Sequence, residues 1–160
     1  MILFWAPLAA ASAHVVEEFV FPGGFARWYR AYRPEIAESV TPRFLVAINA
    51  ALLFGCFAVG VDQNASFGPA FFLAMTALLA ENGLFHLAAT IRTRRYSPGV
   101  ITGVALYVPL AAYGSFALVS SGHVSPAIAA VAAAAGASYQ FLSVANHRRR
   151  ARYARERSLV

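Results

Sequence analysis

Two histidines and three carboxylates stand inside stretches that are otherwise almost wholly apolar: His14, Glu17 and Glu18 in one, Glu81 and His86 in another. Imidazoles and carboxylates bind divalent metals, relay protons and act as general acids or bases near neutral pH. An ionisable group at mid-bilayer costs at least about 2.5–3.5 kcal/mol, so each needs a partner or a role. On a helix, His14 and Glu18 share a face and Glu17 lies on its edge. Asn82 and His86 share a face in the same way, whereas Glu81 falls about 140° round from His86. The expected catalytic set is His14, Glu17, Glu18, Glu81 and His86. His14, Glu17, Glu18 and His86 are the expected metal ligands, and Asn82 is expected to orient His86. Such a set suits iron, zinc or manganese. The competing reading is structural: the carboxylates snorkel or pair with Arg27 and Arg30, and His86 bonds a neighbouring helix.

The elements that carry these residues follow from composition. Hydrophobic residues make up 59% of the 160 and charged residues only 12%, about half the roughly 25% usual in soluble domains. Such a chain cannot cover itself with polar surface in water, whereas a bilayer removes that requirement. Five windows reach the roughly 20 apolar residues a span needs, at 2–21, 43–62, 67–91, 97–120 and 125–147. The expected fold is all-α, a polytopic transmembrane bundle of five spans. It comprises one domain over 1–147 and a basic tail over 148–160 that extends the last helix. The breaks carry turn residues: Pro22-Gly23-Gly24, Asp62-Gln63-Asn64, Ser97-Pro98 and Ser120-Ser121-Gly122 before Ser125-Pro126. At both Ser-Pro pairs the serine is expected to cap while proline takes the first helical position. Small residues from Ala132 to Gly136 read as close helix packing.

The charges orient the bundle. All 13 basic residues are arginines, and they fall between spans one and two, between three and four, or after five. The positive-inside rule then places the N-terminus outside and the C-terminus in the cytoplasm, in a plasma membrane. A net charge of +6 in juxtamembrane clusters points to anionic lipid, and no nucleic-acid partner is expected. A signal peptide cut after Ala11-Ser12-Ala13 would strand the arginines outside, and its n-region would lack positive charge. The single cysteine, Cys56, allows no intrachain disulfide. At 1.5 Å per residue, His14, Glu17, Glu18 and His86 all fall within roughly 10 Å of the cytoplasmic helix ends, and Glu81 at about 15 Å. His14, Glu17, Glu18, Asn82 and His86 are expected to converge on one buried site between the first and third spans. His123 and His147 read as a loop residue and a solvated helix end.

The run His14-Val15-Val16-Glu17-Glu18 resembles the defining motif of the HXXEE family of small integral membrane proteins of unknown function. Arg94-Arg95-Tyr96-Ser97-Pro98-Gly99-Val100, with Pro109 beyond it and His86 before it, is similar to the same family's pattern. The resemblance implies a membrane protein and marks His14, Glu17, Glu18 and the Ser97-Pro98-Gly99 turn as family features, but it implies no reaction. No phosphate-binding, dinucleotide-binding, zincin or nucleophile-elbow motif is present.

Two further function classes stand beside a metal-dependent enzyme on a lipid-like substrate. A proton-coupled transporter or channel would use the same groups as a relay, and a structural membrane subunit would need only their packing. In the enzyme reading Arg92, Arg94 and Arg95 would meet the substrate's anionic head. Oligomerisation is compatible with each class.

Overall fold

The computed structural model describes residues 2–63 and 66–157. Asn64 of the second turn and the tail residues 158–160 lie outside the described residues. The architecture is all-helical, with five helices long and apolar enough to cross a membrane: Ile2–Phe19, Pro42–Val61, Gly68–Thr93, Val100–Ser120 and Pro126–Glu156. These match the expected spans to within three residues at every end but the last, where the helix continues into the basic tail.

Helix α1 (Ala6–Phe19) follows a 3-10 turn over Ile2–Trp5 and has proline in its first turn, where a missing N–H is harmless. A short helix, α2 (Phe25–Tyr32), then crosses the arginine-rich end. Within what the apolar windows leave as a mere connection, Phe25, Trp28, Tyr29 and Tyr32 recur at i, i+3, i+4 and i+7, while Arg27 and Arg30 are exposed opposite. That spacing gives one aromatic face to bury. A 3-10 segment, Pro34–Ser39, leads into α3 (Pro42–Val61), whose first turn is capped by Thr41.

Helix α4 (Gly68–Thr93) is the central element and packs against every other span. Helix α6 (Pro126–Glu156) lies along it, and a Cβ added to Gly136 would fall 2.0 Å from the Ala74 carbonyl oxygen. Here glycine is required because the two backbones touch, as the small-residue run implied.

The two Ser-Pro pairs behave differently. Ser125 accepts a hydrogen bond from the Ile128 N–H and Pro126 opens α6, as expected. Ser97 does not cap. Helix α5 (Val100–Ser120) starts later, after Gly99 in the left-handed region at φ 102°, and no side chain of its own caps it. The left-handed residue turns the chain out of helical register, so the Ser97 hydroxyl is free to point elsewhere. Residues Gly103–Tyr107 of α5 form a π-helical segment.

Candidate metal centre

On α1, His14, Glu17 and Glu18 are all buried, yet the two adjacent glutamates meet different partners. Glu17 closes the start of α5. Its Oε1 accepts from the Gly99 and Ile101 N–H groups at 3.1 and 3.0 Å and from the Tyr96 hydroxyl at 2.6 Å. Its Oε2 accepts from the Thr102 N–H at 2.7 Å and the Thr102 hydroxyl at 2.5 Å. The orphan N–H groups of a helix start, which a local cap normally satisfies, are met here by a carboxylate from another helix. Partial burial and then the Glu17 carboxylate hold the Tyr96 phenol above its ordinary range, keeping it a donor.

Glu18 faces the other way. Its Oε1 lies 3.1 Å from His86 Nε2 and 3.5 Å from His14 Nε2. Among the described residues, His14, Glu18 and His86 each offer one ligand atom within 4.8 Å of the others. Tetrahedral coordination at bond lengths of about 2.0–2.1 Å separates neighbouring ligands by about 3.3 Å. The two measured edges bracket that separation.

Hydroxyl groups fix both rings. Thr102 has one hydroxyl proton and gives it to Glu17, so its Oγ1 accepts from His14 Nδ1 at 2.9 Å. That assigns the proton to Nδ1 and leaves the Nε2 lone pair to accept from the Asn82 amide at 3.1 Å, on the side that faces Glu18. His86 Nδ1 likewise meets Ser97 Oγ at 2.8 Å. His86 is fully buried, and its Nε2 faces Glu18 Oε1 at 3.1 Å. Trp28 stacks on the His86 ring at 5.6 Å.

The π-helical segment has a direct effect at this point. Residues five apart are about 140° apart on an α-helix but share a face across an i→i+5 turn. Thr102 and Tyr107 therefore both reach His14, one by its hydroxyl and the other by its ring at 4.6 Å. Gly99 completes the enclosure: a Cβ there would fall 2.7 Å from His14 Cε1.

Several expected residues sit elsewhere. Glu17 is not brought into the ligand group, because α5 engages both its oxygens. Glu81 does not join either: it is half-buried with Oε2 lacking a partner, on a different side of α4 from His86. The Asn82 amide reaches His14 Nε2 at 3.1 Å and not His86, whose outer partner is Ser97. Arg92 is exposed in the last turn of α4 and Arg94 and Arg95 just after it, and none of them lines the cavity beside His14 and Glu18. Asn49 donates to the Leu45 carbonyl of its own helix.

The sequence reading missed Ser97, Thr102, Trp28 and Tyr96 as partners of the site. The aromatic period of α2 was a usable signal for Trp28, whereas no local spacing marks the other three. His147, read as a solvated helix end, is 6% exposed and lines, with His14 and Glu18, one cavity of about 100 Å³ between α1, α3, α4 and α6.

A family model described as "Protein of unknown function with HXXEE motif" matches residues 5–114. No curated protein and no solved structure matches the chain.

Proposed function

We propose a function on one premise: the chain belongs to the family of proteins of unknown function with the HXXEE motif. In this reading His14, Glu18 and His86 hold one divalent transition metal, and the protein is a membrane-embedded enzyme acting on a lipid-like substrate drawn from the surrounding bilayer. The observation that carries it is the buried group itself: Glu18 Oε1 lies 3.1 Å from His86 Nε2 and 3.5 Å from His14 Nε2, while Ser97 and Thr102 tie the other ring nitrogens. Two imidazole nitrogens and a carboxylate oxygen converging in a buried site are the donor set of a divalent transition metal, which would satisfy all three together.

Three protein ligands leave coordination positions open for water or a substrate oxygen, as in catalytic sites. Iron, zinc and manganese all suit two imidazoles and a carboxylate. Glu17, Thr102 and Ser97 act as positioning residues, holding the start of α5 and the two rings, and the metal would take the place of the Asn82 amide at His14 Nε2. The arginine partition supports an arrangement with the site near the cytoplasmic face of the plasma membrane and the N-terminus outside.

The test is metal analysis of protein purified without chelators from cells supplied with iron, zinc and manganese. Wild type is expected to hold about one ion per chain, and His14→Ala, Glu18→Gln and His86→Ala to lose it. Glu81→Gln should keep it. Wild-type protein that stays metal-free would end the metal reading and leave a hydrogen-bonded packing cluster.

A further inference from the structure

Between α1, α2 and α3 a groove of about 570 Å³ opens on the surface of the bundle, within the roughly 300–1,000 Å³ of sites that take an organic ligand. Val15 and Phe19 of α1 form one wall, and Leu45, Ala50 and Leu53 of α3 form the other. Along α3 the lining residues Pro42, Leu45, Asn49 and Leu53 recur every three or four positions, which places them on one face. From Pro42 to Leu53 is about 16 Å, close to half of the roughly 30 Å hydrocarbon thickness of a bilayer. The groove therefore runs the depth of one leaflet. Apart from Arg30, Asn49 is the only polar side chain among the described residues that line it, and its amide turns back to the Leu45 carbonyl.

Arg30 of α2 stands at one end. Its Nη2 donates to the Val40 carbonyl, which holds the guanidinium level with the start of α3. Arg27, one turn back on α2, and Arg43, beside Pro42, are exposed at the same end of the bundle. None of the described ion pairs includes these three arginines, because Glu17 is engaged by α5, Glu18 by the histidines, Glu35 by Arg33 and Glu38 by Arg155. A guanidinium carries five donors in a fixed fork suited to a phosphate, and the bond to Val40 uses only one edge of it. The groove thus has the chemistry of a lipid in reverse, apolar for one leaflet's depth and cationic at the end.

Leu45 and Asn49 also line the cavity beside His14 and Glu18, so one layer of side chains separates the groove from the candidate metal centre. We infer that the groove binds one acyl chain of an anionic phospholipid, with the phosphate on Arg30, and presents that chain beside His14 and Glu18. The cations at the mouth disfavour a choline head and favour net negative charge. As a substrate class this rests on the proposed reading of the protein as an enzyme of bilayer lipids, whereas the binding itself needs no metal.

The experiment uses the full chain in phosphatidylcholine nanodiscs with a trace of phosphatidylglycerol carrying a photoreactive group midway along one chain, and maps the labelled peptides. Label is expected on the α1 and α3 residues of the groove. It should be at least about tenfold stronger than with a phosphatidylcholine probe of the same chain. Arg30→Gln should remove most of that preference. Ala50→Trp, which fills the groove from an exposed position, should cut labelling about tenfold, whereas Ala47→Trp, exposed on α3 outside the groove, should not. Metal content should stay at the wild-type level in all three variants. Equal labelling by the two probes, label spread evenly over the lipid-facing helices, or labelling unchanged in Ala50→Trp would overturn the proposal and leave annular lipid only. The comparison of probes is made on wild type and decides the matter even if a variant does not fold. Preferential groove labelling in protein without metal would leave this inference standing while the metal reading falls, and bound metal without groove labelling would do the reverse.

Discussion

The bundle is built from different chemistry at its two ends. Where α1 begins and α3 meets α4, Phe4, Val59, Phe72, Leu73, Leu118 and Val124 pack as one apolar cluster. At the arginine-rich end the buried residues include His14, Glu17, Glu18, His86, Ser97 and His147. Apolar packing is non-directional and tolerates exchange of similar volumes, whereas each buried polar atom needs a partner at a particular distance and angle. The comparison teaches that shape carries one end, and that directed bonds such as Thr102 to His14 and Ser97 to His86 set the geometry of the other. The same Ser-Pro dipeptide shows this in miniature, capping a helix at Ser125 and holding a histidine at Ser97.

The sharpest way to break this comparison is Glu17→Ala. It strips the partner from three backbone N–H groups and two hydroxyls at the start of α5. At about 1–3 kcal/mol for each buried donor left unpaired, and less for the water-accessible Tyr96 hydroxyl, a loss of about 4–6 kcal/mol is expected. Thermal unfolding in detergent would measure it, and metal content should fall with the fold. A variant with wild-type Tm would show that the α5 start does not depend on this carboxylate.

Next comes Phe72→Ala at the apolar end, where the ring is fully buried against Phe4. It should cost about 3–5 kcal/mol in thermal unfolding. Below its lowered Tm, the protein should bind metal with the wild-type stoichiometry. Metal lost from still-folded protein would mean that the two ends are coupled.

Ser97→Ala is a smaller change with an opposite signature. It removes the hydroxyl on His86 Nδ1, and metal affinity is expected to weaken about 10–100-fold by competition with a chelator. Tm measured without metal should move little. The smallest effect belongs to Ser125→Ala, which removes the cap of α6 and should cost about 1 kcal/mol with metal affinity unchanged. Equal effects of the two serine variants on metal affinity would erase the distinction between the ends.

By itself the sequence determined the class of the fold: five apolar runs of spanning length, arginines confined to alternate connections, and His14 and Glu18 on one face. Those features rest on composition and on helical period, both of which are local. The aromatic face of α2 is equally local and legible, on a helix too short and too basic to span the membrane.

Only the tertiary structure decided which of two adjacent glutamates faces the histidines, which histidine Asn82 meets, and that Ser97 and Thr102 hold the rings. It also left Glu81 apart and brought His147 into the cavity. Each of these outcomes depends on how far apart two helices sit and how they are rotated. Those quantities are set by contacts such as Gly136 on Ala74 and by the π-helical segment of α5, neither of which follows from the spacing of polar residues along α1 or α4. Helical spacing fixes angles within one helix, and a binding site is made of distances between several.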